Sequence, residues 1–131
     1  MPLCDELAFV EAYTYLARMR FGDNLTVTIH VNGAAERATI PPMALQMLVE
    51  NALKHNVISR DHPLVFTITE NPGGWLDVRN TLQPKPYPEP STGLGLLNIQ
   101  SRYKHLTDRL PEVRQESGTF VVRLPLLLPE P

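Results

Sequence analysis

The sequence contains one cysteine, Cys4, among its 131 residues. A single cysteine excludes an internal disulfide framework and a cysteine-based zinc site, and it fits a reducing compartment. No apolar run approaches the ~18 residues that a membrane-spanning helix needs, and no signal peptide opens the chain. We therefore expect this stretch to be soluble, and we expect any membrane anchor to lie outside it.

The charge is balanced, and no basic stripe is present. Twelve lysines and arginines stand against 14 aspartates and glutamates, which gives a net charge of -2. Nucleic-acid binding normally leaves a basic footprint, so we expect no nucleic-acid partner. The length suggests one domain with a sizeable core, and no internal repeat is visible.

Periodicity predicts three helices and five strands. Apolar residues three and four positions apart predict amphipathic helices over 4–20, 43–57 and 96–106. Alternation and turn residues predict a strand over 25–31 and two hairpins, 63–70 with 75–80 and 111–116 with 119–126. Loops are expected over 32–37 and over the proline-rich stretch 81–92, whose prolines remove backbone donors.

The order of these elements predicts the fold class. Helix, strand, helix, hairpin, long loop, helix and hairpin follow one another along the chain. Helices interleaved with mostly antiparallel strands indicate a two-layer α/β sandwich, with a mixed sheet and the helices on one of its faces.

The second predicted helix carries an unusual polar group in the stretch "MLVENALKHN", residues 47–56. Asn51 and His55 are one turn apart, and so are Glu50 and Lys54. A Glu-to-Lys pair at this spacing often marks only a solvated face and is worth ~0.3 kcal/mol. Asn51, in contrast, costs helix propensity and borders the apolar stripe, where an amide needs partners. From the residues alone, a solvated face and a ligand-binding face both stay open.

A second group lies in "STGLGLLNIQSRY", residues 91–103. Gly93 and Gly95 separate the proline-rich loop from a helix start, where backbone amides and the positive helix end can approach an anion. Arg102 could reach a phosphate from the same helix. The alternatives are a simple turn for the glycines and a surface position for Arg102.

These two stretches resemble the motifs of a known family. "IPPMALQMLVENALKHNV" resembles the N-box, and "STGLGLLNIQSRY" the G2 box, of the ATP-binding domain of sensor histidine kinases, in particular the LytS/YehU-type group. The similarity extends to "YLARMRFGD" before the first strand and to "FVVRLPL" at the end. It implies the Bergerat-type ATP-binding fold (HATPase, GHKL), which matches the predicted order of elements.

The resemblance implies roles for particular residues. Asn51 would ligate the magnesium ion that bridges the phosphates of ATP, Lys54 would approach the phosphates, and His55 would lie against the nucleotide. The G2 box, Thr92, Gly93, Leu94 and Gly95, would lie beside the phosphates, preceded by a mobile lid. Glu50 would lie near the metal or form a salt bridge to Lys54. The implied cofactors are ATP and Mg²⁺.

One departure from the wider superfamily favours phosphoryl transfer over hydrolysis. Hydrolases of this fold carry a glutamate four residues before the metal-binding asparagine, where it activates water. Here that position is Met47, which cannot accept a proton. A kinase does not need that group, because a neutral imidazole already has a nucleophilic lone pair.

A second departure affects recognition of the base. The family's G1 box has an aspartate, which accepts from the adenine amino group, followed by glycines. This chain has Asn80 at that place and no glycines after it. An amide oxygen can accept the same hydrogen bond, but more weakly than a carboxylate. Asp77, which we expect on the same strand face, is an alternative acceptor, although a surface position is favoured. Thr119 is a further candidate for contacting adenine or a bridging water.

The resemblance also implies what lies outside the chain. The family's acceptor histidine belongs to the pattern "PHFxFN", and none of the four histidines here matches it. We expect residues 1–22 to be a helical linker after a dimerisation and phosphoacceptor region, 23–127 the catalytic domain and 128–131 a tail. The expected partners are that region and, through it, a response regulator.

In the full-length protein, the domain is expected on the cytoplasmic side of the bacterial inner membrane, and the fragment alone is expected to be monomeric.

Two alternative functions remain open. One is a degenerate interaction module that does not bind ATP. The other is a free-standing ATPase or serine kinase.

Overall fold

The computed structural model describes residues 2–86 and 94–127, which form one five-stranded sheet with helices against one face. The elements are α1 (Leu3–Phe21), a 3-10 turn (Gly22–Asn24), β1 (Leu25–His30), α2 (Gly33–Glu36), α3 (Ala44–His55), β2 (Leu64–Asn71), β3 (Trp75–Thr81), α4 (Leu94–Leu106), β4 (Glu112–Glu116) and β5 (Thr119–Pro125). The strand order is β1-β2-β3-β5-β4. Only β1 and β2 are parallel. The predicted mixed, mostly antiparallel α/β sandwich is confirmed.

The core lies between the helices and one face of the sheet. Its largest contributions come from the apolar stripes of α1 and α3 and from alternate residues of β2, β3 and β5. On β3, Leu76, Val78 and Asn80 are buried on the helix-covered face. Among the described residues, no helix is long and apolar enough to cross a membrane.

The ends of some elements differ from the prediction. The expected loop 32–37 contains the short helix α2, and α3 ends at His55 rather than at 57. The early end of α3 has a local cause, because Asn56 leaves the helical conformation and bonds the carbonyl of Ala52 through its side chain at 2.9 Å. Half of the proline-rich stretch (residues 87–92), the following Gly93 and the predicted tail 128–131 lie outside the described residues.

The expectations for Asp77 were wrong on two counts. Asp77 is only 4% exposed, and it binds Nε of Arg123 on β5 at 3.0 Å. It also lies three residues before Asn80, so the alternation of β3 places the two side chains on opposite faces of the sheet. Asp77 is therefore a structural ion-pair residue on the sheet face opposite to Asn80.

Candidate nucleotide-binding site

Helix α3 presents Asn51 and His55 one turn apart, and both are half-exposed. Its buried stripe, Leu45, Leu48, Val49, Ala52 and Leu53, holds the helix against the core. Within residues 2–86 and 94–127, the structure gives the side-chain amide of Asn51 no hydrogen-bond partner. An amide oxygen in this setting is available to an external ligand.

Glu50 and Lys54 lie on a neighbouring face of α3. They line a cleft of about 610 Å³ between α1 and α3, together with residues that include Tyr13 and Arg20. The carboxylate of Glu50 accepts a hydrogen bond from Nε2 of Gln46 at 3.3 Å. Burial raises the pKa of Tyr13, and the charge of Glu50 raises it further. The carboxylate of Glu50 is therefore oriented towards α1.

The C-terminal end of α3 is tied to the segment that follows β3. Oδ1 of Asn56 accepts from the backbone N–H of Gln83 at 2.8 Å, and the N–H of Val57 donates to the carbonyl of Gln83 at 2.8 Å. The N–H of Lys85 donates to the carbonyl of His55 at 3.1 Å. These bonds bring the helix that carries Asn51 and His55 next to the end of the strand that carries Asn80.

Asn80 is 6% exposed on the helix-covered face of β3. Its Nδ2 donates to the carbonyl of Thr81 at 2.9 Å, which fixes the orientation of the amide. Because the nitrogen is used in this way, Oδ1 is the atom that remains to accept a hydrogen bond. Asn80 therefore offers an oriented acceptor where the resemblance implies contact with the base.

The pairing of β3 with β5 determines where Thr119 lies relative to Asn80. Thr119 pairs with Thr81 across β3 and β5, whereas Asn80 pairs with Phe120. Alternation then places Thr119 and Asn80 on opposite faces of the sheet.

Met47, one turn before Asn51, is half-buried and packs against the core. No carboxylate therefore occupies the position where hydrolases of this fold carry the glutamate.

The second predicted motif is described only in part. Thr92 and Gly93 lie outside the described residues, and Leu94 and Gly95 form the first turn of α4. Arg102, which we expected near a phosphate or on the surface, is half-buried, and its guanidinium donates to the carbonyl of Pro42. It thereby links α4 to the segment that leads into α3.

Sequence reasoning missed Asn56 and Gln83. The side chain of Gln83 also donates to the carbonyls of Val57 and His62, each at 2.8 Å, so it anchors the whole connection between α3 and β2. The only sequence signal was an Asn in the last turn of the predicted helix 43–57 and a Gln at the start of the proline-rich stretch. Their pairing spans 27 residues and is visible only in the fold.

Comparison with solved structures identifies the fold. The catalytic domain of histidine kinase ThkA, in a nucleotide-free form, superposes with a TM-score of 0.63 over 98% of this chain and 97% of that chain, at 14% identity. The mycobacterial sensor histidine kinase MprB gives a TM-score of 0.55 over 94% and 95%, at 15% identity. The fold is thus that of a histidine kinase catalytic domain.

Sequence comparison identifies the group of histidine kinases that this chain resembles. No protein-family model matches the chain. Sensor protein LytS of Bacillus subtilis (strain 168) is 32% identical over 117 residues, and LytS of Staphylococcus haemolyticus (strain JCSC1435) is 34% identical over 117 residues, in each case 78% of this chain. The predicted resemblance to LytS-type sensor histidine kinases is confirmed. The chain spans 20% of the length of these relatives.

Proposed function

We propose that this chain binds Mg-ATP and serves as the catalytic domain of a two-component sensor histidine kinase. It would transfer the γ-phosphoryl group to a histidine outside residues 1–131. The observation that carries the proposal is the arrangement of α3, which presents Asn51 and His55 while its end is hydrogen-bonded to the segment after Asn80.

Asn51 fits a magnesium ligand. Mg²⁺ prefers oxygen donors and keeps several of its waters, so one neutral amide together with the phosphates of the nucleotide is a sufficient set. The amide of Asn51 is half-exposed and has no partner among the described residues, which leaves its oxygen available. When bound, magnesium would neutralise charge on the phosphates during an in-line transfer.

The remaining roles follow from position along the site. His55 would lie against the nucleotide, and Oδ1 of Asn80 would accept from the adenine amino group. Lys54 would approach the phosphates from the adjoining face of α3, and the G2 residues Thr92 to Gly95 would lie beside them. Arg102 would act through its bond to Pro42, by holding α4 beside α3.

The apolar Met47 supports transfer rather than hydrolysis. A water held near the γ-phosphate would find no carboxylate one turn before Asn51, because that position is occupied by a thioether packed against the core. An acceptor imidazole needs no such base to act as a nucleophile. Catalysis by this domain is therefore mainly positioning and electrostatics.

Titration calorimetry with ATP tests the proposal. Asn51→Ala should abolish the gain in affinity that magnesium provides, while its thermal unfolding stays close to that of the native chain. Asn32→Ala, at an exposed asparagine that bonds Glu70 at the end of the sheet away from Asn80, is the matched control and should keep that gain. Equal magnesium dependence in the native chain and in Asn51→Ala would remove the metal role of Asn51.

A second candidate function is a non-catalytic interaction module that keeps the fold. It is favoured by the uncharged Asn80 and by the absence of glycine from residues 81–86, where the family's G1 glycines are expected. It predicts no nucleotide binding by the native chain. Autophosphorylation of a longer chain that includes the acceptor histidine would exclude it.

In the complete protein, we propose that residues 1–22 link this domain, residues 23–127, to a dimerisation and phosphoacceptor region, with a response regulator as the final acceptor. The domain would lie on the cytoplasmic side of the membrane.

A further inference from the structure

A glutamate that the proposed mechanism does not use is buried where α1 meets α3. Glu6, in the first turns of α1, is only 2% exposed. Its Oε1 has no hydrogen-bond partner in the described part of the chain. Charged side chains are rarely buried without a partner, because transferring them out of water is costly. The burial of this carboxyl group therefore needs a specific structural explanation.

The carboxyl group lies at the beginning of α3. Met43, which precedes the helix, has a left-handed backbone with a φ of 69°, and it provides no side-chain cap for α3. The first N–H groups of a helix are then left to other partners. Burial raises the pKa of Glu6, and the backbone N–H groups of Met43, Ala44 and Gln46 partly offset this increase. The carboxyl group of Glu6, on α1, thus lies beside the N–H groups at the start of α3.

Helix α4 also contacts the segment at the start of α3. Arg102 donates to the carbonyl of Pro42, directly before Met43. The neighbouring Tyr103 is fully buried and donates to the carbonyl of Pro125 at 2.8 Å. Burial is the main cause that raises the pKa of Tyr103, and the charge of Glu6 adds to it. The start of α3 is therefore fixed by Glu6 on one side and by α4 on the other.

We infer that Glu6 is a positioning residue through which α1 sets the placement of α3 and, with it, the Mg-ATP affinity of Asn51. The inference rests on the proposed function. Ala44 and Asn51 are seven residues apart on α3, about two turns or ~10 Å of rigid helix. A displacement at the start of α3 is consequently carried to Asn51, and α1 is the segment that we propose leads to the phosphoacceptor region.

The test uses the full chain with Glu6→Leu and Glu6→Gln. Leucine fills a similar volume in the core, so the variant should still fold, which urea denaturation checks. Without the carboxyl group, α3 is no longer fixed, and the dissociation constant of Mg-ATP should rise about tenfold. Glu6→Gln keeps an acceptor oxygen, so its dissociation constant for Mg-ATP should lie between those of Glu6→Leu and the native chain. Glu11→Leu, at an exposed position of α1, is the control and should bind like the native chain.

Amide hydrogen exchange separates this inference from the proposed function. In Glu6→Leu, amides of α3 should exchange about tenfold faster, while those of β5 stay unchanged. Native Mg-ATP affinity in Glu6→Leu, unchanged exchange in α3, or equal acceleration in α3 and β5 would each overturn the inference. If the native chain binds no Mg-ATP, the proposed function fails, and the exchange of α3 alone decides whether Glu6 positions that helix.

Discussion

Asn56 and Gln83 are joined by a hydrogen bond of 2.8 Å between the side-chain Oδ1 of Asn56 and the backbone N–H of Gln83. The other end of the same amide, Nδ2, caps α3 by donating to the carbonyl of Ala52 at 2.9 Å. One buried side chain therefore ends the helix that carries Asn51 and fixes the segment that follows Asn80.

Asn56→Ala should destabilise the fold and weaken nucleotide binding. It leaves the carbonyl of Ala52 and the N–H of Gln83 without these partners in a buried environment, which costs about 1–3 kcal/mol of unfolding free energy. Urea denaturation measures this loss, and Asn98→Ala, at an exposed position of α4, is the control. A loss equal to that of the control would show that the bond contributes nothing to stability.

Asn80→Ala should lower the affinity for ATP both with and without magnesium, because the lost contact is to the base. Adenine presents an amino donor where guanine presents an oxygen acceptor. An oriented Oδ1 should therefore make the native chain prefer ATP to GTP, and the substitution should reduce that preference. Competition between the two nucleotides measures it. Undiminished preference in Asn80→Ala would exclude this residue from base recognition.

Asp77→Asn should reduce stability without changing the affinity for ATP. The carboxylate of Asp77 is nearly buried and bonds Arg123, so removing its charge weakens a charge-assisted hydrogen bond, by about 1–3 kcal/mol. The side chain lies on the sheet face opposite to Asn80 and should not contact nucleotide. Denaturation and calorimetry on the same variant test both statements, and a selective loss of affinity would contradict the second.

Glu6 should make stability depend on pH. Its pKa in the folded chain is raised above the ordinary value of 4.5, chiefly by burial. Between these two values the folded chain binds more protons than the unfolded chain, so the free energy of unfolding falls as pH rises. Relative to Glu6→Gln, the native chain should gain stability as pH is lowered from 7 towards 4.5. Urea unfolding of both chains at pH 7 and pH 5 tests this, and a pH-independent difference would contradict it.

Apart from α2, the regular elements were predictable because each one follows from local periodicity. Alternation over residues 25–31 and 119–126 predicts half-buried strands, and the turn "NPGG" predicts the hairpin that joins β2 to β3. Gly73 and Gly74 in that turn both have positive φ, of 88° and 80°, which glycine adopts without strain. The site helix was predictable for the same reason, because its apolar stripe and its polar positions share one period.

The contacts that assemble the site were not predictable from the sequence. Glu6 and Asp77 look like surface residues in a helix and a strand, and only partners 37 and 46 residues away explain their burial. The hydrogen bond between Asn56 and Gln83 likewise depends on how two loops meet in the fold. Local patterns specify which face of an element is apolar, but they do not specify which polar group from a distant element will meet a helix end.

The most direct test of the proposed Mg-ATP binding is calorimetric titration of residues 1–131 with ATP, with and without magnesium. We expect binding that magnesium strengthens, since Asn51 would contribute an oxygen ligand to the ion and the phosphates would supply others. Binding that is absent under both conditions, or that is indifferent to magnesium, would contradict it.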